Sequence, residues 1–128
     1  MRPLFTILSI AYIATIFLFA DSSVVSDLSS FNPYSLLHIP LYGILTALLI
    51  FSFVPFKFNS RNSRNHLFVA ALFALIVAIA DEIHQAYVPG RDVSLTDVLL
   101  DMAGIGIVIF FTSQLFRKKE SPKTRLTL

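Results

Sequence analysis

Residues 4–20 read LFTILSIAYIATIFLFA, a run without a single charged side chain. Wound as an α-helix, such a run crosses a hydrocarbon core about 30 Å thick, which takes roughly 17–25 residues. Pro3 stands just before it and suits the first turn of a helix, where a missing N–H has no intrahelical partner to lose. Three further stretches have the same character. One covers about 34–54, opened by Asn32-Pro33 and closed by Pro55. Another covers about 66–86, apolar to Ala80 and then polar through Asp81-Glu82-Ile83-His84-Gln85. The last covers about 96–116, and the turn signal Val88-Pro89-Gly90-Arg91 separates it from its predecessor. The expected fold is all-α: an integral membrane four-helix transmembrane bundle forming one domain over 1–116, followed by a short basic tail over 117–128.

Composition points the same way. Of the 128 residues, 55% are hydrophobic and 14% charged, against roughly 25% charged in a soluble domain that needs a polar coat. The absence of cysteine excludes disulfides, thiolate metal sites and cysteine nucleophiles. The basic residues cluster beside apolar segments rather than along a groove, so nucleic acid is not an expected partner; the lipid bilayer is. Leu18-Phe19-Ala20 lacks the small-x-small pattern of a signal-peptidase site, so the first run is expected to be retained as a span.

Lysine and arginine near the span ends set an expected orientation. The first loop, 21–33, holds Asp21 and Asp27 and no basic residue. The second holds Lys57, Arg61 and Arg64, the third only Arg91, and the tail Arg117, Lys118, Lys119, Lys123 and Arg125. This alternation predicts an N-in/C-in arrangement with the middle loop cytoplasmic.

An ionisable group in a span costs about 2.5–3.5 kcal/mol on insertion scales, so its position asks for a reason. Here the costly residues fall at the same depth, the expected outer ends of spans two, three and four. They are His38 in the second, Asp81, Glu82, His84 and Gln85 in the third, and Asp97 and Asp101 in the fourth, with Arg91 in the loop between. Ser35, His38 and Tyr42 share one helical face, and Asp97, Asp101 and Gly104 another. Pro40, if interior, would bend span two beside the cluster. Gly104 and Gly106 would let a neighbouring helix approach closely.

Each feature also has a plainer reading. His38 could simply hydrogen-bond within the bundle, and Asp81-Glu82 could be a solvated helix end. Arg91 could neutralise Asp92, although its planar guanidinium equally suits a phosphate or carboxylate. Either Ser94 or Thr96 could cap span four, with Asp97 a first-turn acid favoured by the helix dipole. Tyr42 and Tyr87 could be interfacial aromatics. His38, His84 and the acidic groups are of types that ligate zinc or another divalent ion, but no tight ligand spacing such as HExxH is present, so the sequence assigns no metal ligands and leaves metal dependence and any cofactor open.

The run Asp81-Glu82-Ile83-His84-Gln85-Ala86-Tyr87-Val88-Pro89-Gly90-Arg91, followed by Asp97-Val98-Leu99-Leu100-Asp101-Met102-Ala103-Gly104, resembles the VanZ-like family. The resemblance lies in an acidic pair, His-Gln, Pro-Gly-Arg and an Asp opening the last span, and His38 with Tyr42 matches a second element, His-x-x-x-Tyr. It covers about Ser35 to Gly104. It implies a small multi-pass protein of the bacterial cytoplasmic (inner) membrane, in a family named after an accessory teicoplanin-resistance protein. Three departures stand out. Tyr34 and Ser35 occupy places where members often carry Asp-Lys, Asp101 replaces the usual Asn, and Val108 replaces a second glycine.

Two readings of function follow. In one, the protein works in the cell envelope, binding or modifying an anionic lipid or cell-wall precursor at the outer leaflet and contributing to glycopeptide resistance. Candidate catalytic groups are Glu82, His38 and His84, able to handle a proton. Candidate ligand-binding groups are Arg91, Asp81, Gln85, Asp97, Asp101 and Tyr42. In the other, the protein is a non-catalytic structural or accessory membrane protein whose polar residues lock the bundle.

Overall fold

The computed structural model describes residues 2–20, 34–54, 60–89 and 93–120, with backbone alone at 34, 60–62 and 118–120. Four α-helices run through them: α1 Pro3–Ala20, α2 His38–Phe53, α3 Ser60–Gln85 and α4 Leu95–Glu120. A 3-10 turn, Tyr34–Leu37, leads into α2. No strand occurs among the described residues, and all four helices are long and apolar enough to cross a membrane once the 3-10 turn is counted with α2. In hydrocarbon this is the expected solution, because a helix satisfies its own backbone N–H and C=O groups where no water can.

α2 is the central helix and packs against each of the other three. In its span 44% of residues are buried inside the protein, against 17% for α1 and for α4, which present most of their surface outward. That surface is apolar: Leu4, Ile7, Leu18, Phe68, Phe110 and Phe111 are among many large hydrophobics left exposed. Such a patchless apolar coat would be an aggregation hazard in water and is the normal face of a protein solvated by lipid.

Small residues and hydroxyls set how closely the helices meet. On α3, Ala70, Ala74 and Ala78 are fully buried one turn apart, a smooth stripe that lets α3 come close to its neighbours. The same stripe continues into Asp81, Glu82 and Gln85, so helical geometry alone carries those polar side chains inward. At the opposite end of the bundle α1 is tied to α2. The Arg2 N–H donates to the Ser52 carbonyl at 3.1 Å, and Thr6 Oγ1 meets Ser52 Oγ at 2.7 Å. Midway, the Tyr12 hydroxyl donates to the Leu41 carbonyl at 3.2 Å.

α2 and α4 meet at glycines. A Cβ built on Gly104 would fall onto the Ile39 carbonyl oxygen and lie 3.2 Å from the Gly43 nitrogen, so the two backbones touch where no side chain fits. Gly106 departs from the expectation of close approach, because nothing lies within 4 Å of where its Cβ would be. The reason is rotational: two residues along a helix is about 200°, which turns Gly106 away from the seam that holds Gly104. Pro40 departs too. α2 begins at His38, so Pro40 lies in its first turn, where the N–H it lacks would have had no partner within that helix. The 3-10 turn before it absorbs the change, and no mid-helix break is needed.

Candidate functional site

Three helix ends bring the polar residues together: the start of α2, the end of α3 and the start of α4. The site is best built from His38. Its Nδ1 lies 2.9 Å from Asp101 Oδ1, nearly two turns into α4. A carboxylate accepts, so Nδ1–H is the donor, and in the neutral ring the free lone pair then sits on Nε2. Nε2 faces Asp97 Oδ2 at 3.9 Å. Asp97 and Asp101, four apart on α4, thus flank the two nitrogens of one imidazole. The Tyr42 ring, one turn along α2, lies near-parallel to that imidazole at an interplanar angle of 8° with centroids 6.4 Å apart.

α3 supplies the other wall. Asp81 Oδ2 accepts from Gln85 Nε2 at 3.0 Å and, at a long 3.4 Å, from the Tyr42 hydroxyl. Glu82 reaches across to the segment before α4, where its Oε2 accepts the Ser94 N–H at 3.0 Å. Ser94 in turn caps α4, its Oγ accepting the Asp97 N–H at 3.3 Å. Ser94 and not Thr96 is therefore the N-cap. In an ordinary capping box the acid three residues after the cap reaches back to the cap's own N–H. Here Glu82 of the preceding helix takes that N–H, which leaves the Asp97 carboxylate free to face His38.

The groups are deeply enclosed. Glu82 is 3% exposed, His38 4% and Asp101 0%, with Tyr42, Asp81 and Gln85 equally buried. Yet four carboxylate oxygens there have no hydrogen-bond partner among the described residues: Asp81 Oδ1, Glu82 Oε1, Asp97 Oδ1 and Asp101 Oδ2. An unsatisfied buried acceptor carries its full desolvation cost, about 1–3 kcal/mol and more when charged. Atoms offered by His38, Glu82 and Asp97, one from each of three helices, all lie within 4.8 Å of one another.

The sequence-based candidates are thus not all in one place. His38, Tyr42, Asp81, Glu82, Gln85, Asp97 and Asp101 converge. His84 takes another direction: it is half-buried, and its ring meets Phe17 of α1 edge-on at 5.4 Å between centroids. Arg91 lies outside the described residues. Sequence reasoning missed Gly43, the counterpart of Gly104, because a glycine's partner in another helix leaves no trace in spacing. Beside that contact runs an apolar groove of about 360 Å³, lined by Ile39, Pro40, Gly43, Ile44, Gly104 and Val108 among others. Its walls include the residue after His38 and the turn after Asp101.

A VanZ/LLP1 family model matches residues 4–117, which takes in all four helices and every residue of the cluster. The chain belongs to the VanZ/LLP1 family. No curated protein matches it, and no solved structure does. Within this VanZ/LLP1 chain two of the noted departures have a local counterpart. Asp101, where the resemblance led one to expect Asn, is the residue that holds His38. Val108, where the resemblance led one to expect a second glycine, lies across from Gly43, with its Cγ2 3.6 Å from where a Gly43 Cβ would stand. The bulk is carried on one helix and the gap on the other.

Proposed function

We propose that this VanZ/LLP1 protein sits N-in/C-in in the cytoplasmic membrane of a bacterium and uses the cluster, at the outer leaflet, to bind or modify an amphiphile with an anionic head. That amphiphile is an anionic lipid or a lipid-linked cell-wall precursor. The observation that carries the reading is the juxtaposition of two unlike surfaces. A buried, oxygen-rich polar cluster and an apolar groove share the α2–α4 seam, His38 standing just before the groove's Ile39 in sequence and Asp101 three residues before its Gly104. Its volume falls within the range of small-molecule sites, about 300–1,000 Å³. An acyl or prenyl chain suits the groove and a polar head suits the cluster. Arg91, which stands three residues before Ser94 in sequence, would engage a phosphate oxygen. His38, steadied through Nδ1 by Asp101, would handle a proton through Nε2, with Glu82 beside it. A contribution to teicoplanin-type glycopeptide resistance belongs to the same proposal, through a changed precursor or lipid surface.

The test pairs binding with phenotype. Nanodiscs containing phosphatidylglycerol should retain a lipid on the purified protein, read by native mass spectrometry, where phosphatidylcholine alone should not. His38→Gln, Glu82→Gln and Arg91→Ala should insert normally, lose that lipid, and lower teicoplanin tolerance in a strain that depends on the protein. Full lipid retention in all three variants sinks the reading.

One observation favours the alternative, a structural lock. The Asp81–Gln85, Asp81–Tyr42, Glu82–Ser94 and His38–Asp101 bonds join α2, α3 and α4 into one network. In that case the same variants should lose abundance and thermal stability in proportion to any loss of function.

A further inference from the structure

We propose that His38, Glu82 and Asp97 form a divalent-cation site of the zinc or manganese class. This deepens the reading above and rests on it only for the role the ion would serve. Four features carry it. The three side chains come from three different helices, and one donor atom of each lies within 4.8 Å of the others. The donor set, one imidazole and two carboxylates, is of mixed nitrogen and oxygen type, which suits zinc and manganese.

The second feature is the state of the donors. Glu82, 97% buried since only 3% is exposed, has Oε1 without a partner among the described residues, and Asp97 Oδ1 is in the same state. Around them the described residues place one group able to carry positive charge, His38, in ion-pair range of the acids. A buried excess of carboxylates is costly, and a dication is the compact way to offset it.

The third feature is the imidazole's backing. Metal-bound histidines almost always donate their other ring N–H to a carboxylate or carbonyl, which fixes the tautomer and raises the basicity of the ligating nitrogen. Asp101 does this to Nδ1 at 2.9 Å, and Nε2 points to Asp97. The fourth is Glu82's own hold: its Oε2 is occupied by the Ser94 N–H, so Oε1 is the free donor.

Distances to zinc of about 2.0–2.1 Å place donors roughly 3.4 Å apart in a tetrahedron. The 3.9 Å from His38 Nε2 to Asp97 Oδ2 is already near that, and the three donors lie within 4.8 Å of one another. Three protein donors leave a coordination position open, the arrangement of sites that take a further oxygen ligand. A phosphate oxygen of the amphiphile would fill it, and this resolves how an acidic cluster could hold an anionic head.

Isothermal titration of the full chain in detergent, with zinc or manganese chloride alone, tests the site without any lipid. One ion per chain is expected. X-ray absorption of the zinc-loaded wild type should show one histidine nitrogen with oxygen donors. Glu82→Gln and Asp97→Asn should each weaken binding more than about tenfold, Asp101→Asn about tenfold, and His66→Ala not at all. Absence of stoichiometric binding, or a shell with no histidine, overturns the proposal, and neither readout depends on a variant folding. If lipid is retained while no metal binds, this inference fails and the lipid reading stands. Metal binding without lipid retention leaves the site in place and removes the lipid reading.

Discussion

At the scale of single residues, Asp101 is where stability and chemistry separate. It is fully buried on α4 and bonded to His38, and its second oxygen has no partner among the described residues. An asparagine there keeps an acceptor for the Nδ1–H and removes the surplus charge. Asp101→Asn should therefore melt within about 1 kcal/mol of wild type, since a net hydrogen bond amounts to roughly 0.5–1.5 kcal/mol. Asp101→Leu strands the imidazole N–H inside the bundle and should cost about 1–3 kcal/mol. Thermal unfolding in detergent checks both, and equal losses would contradict this account of the pair. His38, Asp81, Glu82, Asp97 and Asp101 were all legible as an oddity in the sequence, because ionisable side chains in an apolar run are conspicuous. Their pairing was not: which carboxylate takes which imidazole nitrogen depends on helix rotation, which periodicity constrains only to within a face.

At the scale of elements, the α2–α4 seam decides how near the cluster's walls stand. The Gly104 contact leaves no room for a methyl group, since it would meet backbone atoms of Ile39 and Gly43 rather than a movable side chain. Gly104→Ala should push the helices apart at a cost of about 1–3 kcal/mol, the usual range for overpacking, and should lower abundance in the membrane. Gly106→Ala, which meets nothing, should be neutral or raise the melting temperature slightly, because alanine forms helix better than glycine by about 1 kcal/mol. Gly43→Ala stands between them, with its nearest neighbours at ordinary contact distances of 3.6 and 3.7 Å. The order 104, 43, 106 in abundance assays is the expected result; a strong defect at 106 would contradict the seam described. Sequence reading marked both Gly104 and Gly106 for close approach and was right about one. The correct one is the glycine that shares a stripe with Asp97 and Asp101, a clue that helical phase alone could have used. The cap at Ser94 was half legible, as one of two candidates, and the Asp97 N–H donated to Ser94 Oγ settles it.

At the scale of the whole molecule, the proposed orientation has a clean test because the chain contains no cysteine. A single Ser22→Cys in the first loop should react with a membrane-impermeant thiol reagent in intact spheroplasts. Ser121→Cys in the tail should react only after permeabilisation. The reverse pattern would move the cluster to the cytoplasmic leaflet and with it the class of lipid it meets. The four helices themselves were fully legible, because crossing hydrocarbon demands long runs of apolar residues whose backbone is satisfied locally, and both demands are written in composition and length. Convergence of the polar groups was foreshadowed for the same reason: a span that pays to bury a charge turns it inward. What needed the packed molecule was everything that depends on one helix meeting another. The glycine contact, the departure of His84 toward α1, the capping of α4 by an acid from α3, and the gathering of His38, Glu82 and Asp97 all join residues distant in sequence. Such contacts are fixed by the relative rotation of rigid helices, which periodicity in the chain constrains only to within a face.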